Sequence, residues 1–519
     1  MSTTEPINEE IPQVDDPNDQ PAKRTPLPKF QLFIVLLIQF AEPITGCVIY
    51  PFINQFVRAI DTGVTGGDER KTGYYAGIIE SAFFFAEAAT VFQWGWLSDR
   101  YGRRPILLIA PLGLTFAMLA FGLSKTFWPL VISRSFQGIF NGNIGVSKKC
   151  YGRGNLTDPT NIGDAFSMMP LMWSIGTTLG PIIGGVLTSP ATRWPDTLGK
   201  IALLREYPYF LPCLVSALLA FATFLTACIG LKETLPSAIA KSKEKRGRFH
   251  NGSGIEPSSS SILIDHGEGC DYGTGGLPQS AAEHLPVFAN PDDVAKPLRP
   301  EDQAKPVPLR ALLTRPILMT YLCYFLLVFT DMSYQVLNPL MWSTSVSLGG
   351  LGLSPYRIGT IMGTWGFCNA FFQINFLGRV IRWLGPRKVF TMSYASFFIC
   401  IGCYPLASYF ASLAGGVDIR VAAVIFVQLS FQMMIYMSYG SIHILLVEVA
   451  PNKATLGSIN GIAQMLGSAT RSLAPTFASS LFSISLQRHL MGGNFVYYVL
   501  LVVTLFGIRA SLLLPRSRN

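Results

Sequence analysis

Long apolar runs separated by short polar or charged stretches set the pattern of this chain. Runs of spanning length begin near Gln31, Gly73, Pro105, Phe127, Ile162 and Tyr209, then near Pro316, Ile358, Val389, Val421, Leu456 and Phe495. Each approaches the ~20 residues that carry a helix across a bilayer. The pattern predicts an all-α membrane protein of twelve transmembrane helices in two six-helix bundles. Between the two sets, residues 232–308 hold 20 of the chain's 71 charged residues, including Lys241, Lys243, Lys245, Arg246 and Arg248, with a serine string at 258–261. No helix of spanning length fits there, which predicts a disordered polar linker. The expected division is a tail at 1–30, bundles at 31–231 and 309–515, the linker at 232–308 and a tail at 516–519.

Composition sharpens this reading. Of 519 residues, 50% are apolar and 14% charged, against roughly 25% charged in an ordinary soluble domain. The net charge of +9 would fit a nucleic-acid partner in a soluble protein, but here it has a topological explanation. With the first residues in the cytosol, 28 of the 40 basic residues fall on cytosolic segments, 10 on outer loops, and Arg134 and Arg471 inside spans. Leaving out 232–315, the excess is still 17 to 10, which places both termini in the cytosol. The first ~28 residues are polar and acidic, unlike a cleavable signal peptide. Nine cysteines are scattered through apolar runs, and the single C-x-x-C pair, Cys400 and Cys403, sits inside one. That placement fits packing better than metal or redox chemistry, and no disulfide framework is expected.

The halves resemble each other. Gly102-Arg103-Arg104 follows the second span and Gly385-Pro386-Arg387-Lys388 the eighth, while Gly180-Pro181 in the fifth span is matched by Ala474-Pro475 in the eleventh. Related halves facing one another across a midplane site are the architecture of alternating-access carriers.

Three motifs carry a family resemblance. The loop Gly95-Trp96-Leu97-Ser98-Asp99-Arg100-Tyr101-Gly102-Arg103-Arg104-Pro105 combines glycines for a tight turn with an acid that can pair with arginines or cap a helix. Arg134-Ser135-Phe136-Gln137-Gly138 places a guanidinium inside the fourth span, at a cost of about 2.5–3.5 kcal/mol on insertion scales unless it is partnered. In the fifth span Gly176, Gly180, Pro181, Gly184 and Gly185 put small residues on one helix face. Together they resemble the major facilitator superfamily over about residues 31–515, outside the linker, and within it the drug:proton antiporters. The resemblance is nearest to the zinc-induced facilitator-like branch and its fungal relatives, carried also by Trp94 and by Ser167 ahead of Gly176. It implies that Gly95, Asp99, Arg100, Gly102, Arg103 and Arg104 form a cytosolic latch, with Asp99 holding the halves in one state, and that the fifth-span glycines are an antiporter motif. The branch's C-[PS]-G-C element is absent, and His250, His266 and His284 do not cluster. The three or four converging ligands of a zinc site are not found, and no metal is expected.

Acids inside spans are candidates for proton coupling, because a carboxylate in hydrocarbon is costly unless it has a function or a partner. Glu42 is mid-span in the first helix, Glu80 and Glu87 lie on one face of the second, and Asp331 is about 22 Å into the seventh. Competing readings stand beside each: Glu42 or Glu80 neutralises Arg134, Glu87 bonds between helices, and Asp331 supports a kink at Asn338-Pro339. Arg134, Gln137, Asn460, Gln464 and Arg471 are the candidates for cavity charge and substrate contact, and Arg471 is open to pairing with Asp331. Trp173, Tyr334, Trp365, Phe371 and Tyr436 are aromatics near the expected cavity. His443 is read as a helix-contact residue before a proton relay.

The expected function is a secondary active transporter that exports or exchanges a small solute, drug-like or metabolic, coupled to protons. A solute receptor without flux and a facilitative uniporter are the alternatives. No nucleophile–base pair appears in the spans, so an enzyme is not expected. No G-x-x-x-x-G-K-[ST] string cradles a nucleotide, and the proton gradient replaces any cofactor. The expected partners are solute, protons and lipid, without nucleic acid; the chain is expected to be a monomer in the plasma or vacuolar membrane.

Overall fold

The apolar runs are helical throughout this computed structural model, which describes residues 28–60, 66–150, 168–235, 238–239, 314–450 and 455–514. The first half contains α1 (Lys29–Cys47), α2 (Thr72–Tyr101), α3 (Arg103–Gly122), α4 (Phe127–Asn141), α5 (Met169–Leu187) and α6 (Phe210–Gly230). The second contains α7 (Arg315–Ser343), α8 (Pro355–Leu384), α9 (Pro386–Ala414), α10 (Ile419–Val449), α11 (Leu456–Gln487) and α12 (Phe495–Leu512). Short helices extend two of these: Ile53–Ala59 follows α1 and Ile144–Cys150 follows α4. There is no strand among the described residues. The fifth span was expected from Ile162, but its described helix begins at Met169, with 151–167 outside the described residues. Also outside them are the N-terminal tail up to 27, the last residues from 515, and nearly all of the expected linker with its three histidines.

Local chemistry sets the helix ends. Pro355 and Pro386 stand in the first turns of α8 and α9, where a missing N–H costs nothing. The Asp418 carboxylate accepts from Arg420 N and Val421 N, both at 3.0 Å, and starts α10. Gly102 and Gly385 adopt φ of 103° and 78°, a region costly for other residues, and there the chain reverses between α2 and α3 and between α8 and α9.

Among the described residues eight helices, namely α1, α2, α3, α6, α7, α9, α10 and α12, are long and apolar enough to cross a membrane. Large apolar side chains cover their outer faces and those of their neighbours, with Ile229 88%, Trp383 83% and Phe367 71% exposed. Such a surface suits lipid contact.

Hydrogen bonds fix the topology. Gln31 Nε2 donates to the Gly230 carbonyl at 2.7 Å, bringing the start of α1 to the end of α6. Arg387 Nη2 donates to the Leu512 carbonyl at 2.6 Å, bringing the start of α9 to the end of α12. Successive helices alternate in direction, so these ends and both glycine turns lie on one side, called here the terminal side. The halves meet through α2 against α11 and α5 against α8, toward the opposite side. A Cβ on Gly73 or Gly77 would collide with Ser479, and one on Gly185 would lie 2.8 Å from Gly359 Cα. Small residues let these helices touch backbone to backbone.

Candidate functional site

A cavity of about 520 Å³ lies between the halves, a size typical of small-molecule sites. Glu42, Glu87, Asp331, Arg134 and Arg471 line it, so five of the sequence-predicted charges converge from both halves. The walls continue to Leu171 and Leu377, close to the terminal-side ends of α5 and α8.

Arg134 is fully buried, not snorkelling to a surface. Its Nη2 donates to Glu80 Oε2 at 3.0 Å and to the Gly46 carbonyl at 3.4 Å, and its Nη1 donates to Gln137 Oε1 at 2.5 Å. The guanidinium also stands 4.3 Å from the centre of the Phe83 ring, while its Nε has no hydrogen-bond partner. Tyr50 OH donates to the other Glu80 oxygen at 2.9 Å. Of the two acids weighed as partners of Arg134, Glu80 makes the ion pair. Glu42 instead accepts from Asn141 Nδ2 at 2.6 Å, a polar partner that the sequence reading did not single out. Gln137 is buried beneath Arg134 and does not reach the cavity wall.

In the second half Asp331 accepts from Tyr439 OH at 2.6 Å and Gln335 Nε2 at 2.9 Å. Arg471 is on the wall, whereas Gln464 and Asn460 are not among the lining residues. Trp173, Trp365 and Tyr436 line the cavity. Tyr334 is sealed in the core and Phe371 is 64% exposed on an outer face, so neither belongs to the site. His443 stacks edge-on against Tyr324, with ring centres 5.8 Å apart. Cys400 is buried and donates to the Gln428 carbonyl, consistent with packing.

The fifth-span glycines have a clear packing role. Gly176, Gly180 and Gly184 lie against Pro43, Cys47 and Val48 of the first span, and Gly185 turns to Gly359 of the other half. Pro181 lies on the cavity wall. One stripe thus fixes α5 to α1, and the residue beside it bears on the inter-half seam.

Two features were missed from sequence. The first is a clamp between the halves, opposite the terminal side. Arg58 pairs with Glu69 at 2.8 Å and donates through Nη1 to the Ser343 carbonyl at 2.7 Å, while Glu69 accepts from Ser345 N at 2.9 Å. Burial pulls the Arg58 guanidinium below the usual arginine range, with Glu69 opposing the shift. Nearby, the Arg193 guanidinium of the first half stacks 3.7 Å from the Tyr356 ring centre of the second. In sequence Arg58 and Glu69 read only as outer-loop charges, and nothing local points to a partner 285 residues away.

The second is Glu233. It accepts from Arg103 N and Arg104 N, both at 3.0 Å, at the start of α3, where backbone N–H groups lack helical partners. This ties the segment after α6 to the basic turn around Gly102. Asp99 is exposed at the last turn of α2. An acid just past the sixth span, on the side of the basic turn, was a usable signal.

Residues 35–475 match the model of the Major Facilitator Superfamily. The major facilitator-type transporter psiT2 of Psilocybe cyanescens is 31% identical, covering 97% of this chain and 93% of its own. The multidrug transporter mfsB of Aspergillus fumigatus is 27% identical over 89% of this chain and 79% of its own. ZINC INDUCED FACILITATOR-LIKE 1 of Arabidopsis thaliana is 27% identical, covering 93% and 91%. Among solved structures, a D-xylose–proton symporter superposes with a TM-score of 0.63 at 14% identity, over 95% of this chain and 98% of its own.

Proposed function

The chain belongs to the major facilitator superfamily, and from that premise we propose that it exports or exchanges a small drug-like or metabolic solute against protons by rocking its two halves. The observation that carries this reading is the cavity between the halves, into which carboxylates and guanidiniums of both converge. Relatives named as a multidrug transporter and as an efflux pump support export. In this reading the terminal side is cytosolic, in keeping with its excess of basic residues. The Arg58–Glu69 clamp then seals the outer side, and the molecule faces inward.

Transport in this scheme has two requirements. The outer seam must part, which breaks the bonds from Arg58 and Glu69 to the Ser343–Ser345 segment, and the cytosolic side must close, with Asp99 and the basic turn as the latch. Proton coupling falls to Glu42, Glu87 or Asp331, which line the cavity, because the Glu80 carboxylate is committed to Arg134 and Tyr50. Neutralising a wall acid removes the cost of carrying its charge through an occluded, dry state. A loaded proton and a loaded solute therefore each permit the halves to move.

Flux in proteoliposomes under an imposed pH gradient tests the reading. Gradient-driven accumulation of a solute supports it, and binding without flux makes the protein a receptor.

A further inference from the structure

We propose that Asn369 and Gln373 of α8, with Gln335 of α7, form a specificity subsite that takes a neutral hydrogen-bonding group of the carried solute, a hydroxyl or carboxamide. The proposal rests on the carrier reading above and names what its cavity selects. On α8 the lining positions Met362, Trp365, Gly366, Asn369 and Gln373 recur at helical spacing, so one face of this helix forms a wall. The only polar side chains among those five, apart from the indole N–H, are the two carboxamides. The charged groups stand elsewhere, on α1, α2, α4, α7 and α11.

The hydrogen-bond inventory shows what this wall offers. Gln373 Nε2 spends its hydrogens on the Met433 carbonyl at 3.0 Å and on Asn369 Oδ1 at 3.4 Å. That leaves Gln373 Oε1 as an acceptor and Asn369 Nδ2 as a donor, one helical turn apart. Gln335 Nε2 is held by Asp331 at 2.9 Å, which leaves its oxygen as a second acceptor. A carboxamide inside a membrane bundle costs free energy unless it is satisfied. Asn375, also on α8 but not on the wall, satisfies itself by donating to the Phe371 carbonyl at 2.8 Å. Asn369 does not fold back in this way. Trp365 gives its indole N–H to the Leu429 carbonyl at 2.6 Å, so it offers the cavity an apolar ring beside the amides. The combination fits a flat apolar body carrying a group that both donates and accepts.

The test uses tyramine and phenethylamine, which differ only by a ring hydroxyl, with the full-length protein in nanodiscs and calorimetric Kd values. A site built to bond a hydroxyl leaves polar groups unpaired with the deoxy analogue. Tyramine should therefore bind about tenfold more tightly, in line with the value of one good hydrogen bond to a dry site. In Asn369→Leu and in Gln373→Leu that preference should fall to about twofold or less through weaker tyramine binding, with phenethylamine unchanged. Asn375→Leu should keep the full preference. Where leucine also lowers phenethylamine binding, Asn369→Thr decides, since its hydroxyl supplies a donor where leucine has none and should restore discrimination. Equal binding of the two amines by the unmodified protein, binding of neither, or a tenfold preference kept by both leucine variants overturns the proposal. Flux is read separately: discrimination without transport leaves the subsite standing and removes the carrier reading.

Discussion

Replacing Arg58 by alanine should shift the balance between the two faces of the protein. Arg58 pairs with Glu69 inside the first half, and that pair survives when the halves part. Only the bonds across the seam count: Arg58 to the Ser343 carbonyl at 2.7 Å, the weaker contacts with Ser343 Oγ at 3.3 Å and Thr344 Oγ1 at 3.4 Å, and Glu69 to Ser345 N at 2.9 Å. A hydrogen bond to a charged group contributes about 1.5–3 kcal/mol net when dry. With side chains 21% and 25% exposed, solvent screens part of this, and the Arg58 bonds together are worth about 2 kcal/mol. Their loss should favour the outer-open state about thirtyfold relative to the unmodified protein. Spin labels at Asp196 and Ser347, exposed on the two halves, report the separation by pulsed electron resonance. A population at longer distance should grow in Arg58→Ala and, less strongly, in Arg58→Lys, which keeps the charge and loses the fork. Distance distributions identical to those of the unmodified protein would refute the assignment of the clamp as the outer gate.

Other consequences follow from the same geometry. Gly77→Val should hinder closure of the outer seam, because a side chain there collides with Ser479, and the same labels should show the long distance without added solute. Arg134→Leu leaves Glu80 buried without its cation and should lower stability by about 3–5 kcal/mol, read as lost expression and a lower Tm. Glu233→Gln removes one of the two acceptors at the start of α3 and should lower Tm modestly, by the equivalent of about 1 kcal/mol, with solute binding intact. Asp99→Asn should slow turnover at unchanged expression and Tm, since the residue is solvent-exposed and only its charge is removed; normal turnover would take Asp99 out of the latch.

The spans were legible because a bilayer imposes one strong rule, apolar length, which eight of the described helices meet on their own, while α4, α5, α8 and α11, which carry motif or cavity residues, fall short of it. Charges inside spans were legible for the same reason: Arg134, Glu42, Asp331 and Arg471 stand out against an apolar background, and all four line the cavity. Pairings were harder to read. Hydropathy places Glu42 and Glu80 both within plausible reach of Arg134, and only the rotation of α1 and α2 about their axes selects Glu80. The Arg58–Ser343 bond depends on how two bundles dock, which no local pattern encodes. Asn369 and Gln373 are uncharged and stand in no motif, unlike Gln137 beside Arg134, and so passed without notice. Phe371 shows the converse error: aromatic residues suit lipid as well as a cavity, and this one faces outward.

The most direct measurement is gradient-driven flux through the protein and its wall-acid variants in proteoliposomes, using tyramine and a panel of drug-like amines. With the lumen held acidic, the unmodified protein should accumulate solute against its concentration gradient, and collapse of the pH difference should abolish this. Glu42→Gln, Glu87→Gln or Asp331→Asn, whichever removes the coupling acid, should lose accumulation while keeping solute exchange at equal pH. Full pH-driven accumulation in all three variants, with Glu80→Gln also unimpaired, would contradict coupling through the carboxylates of this cavity.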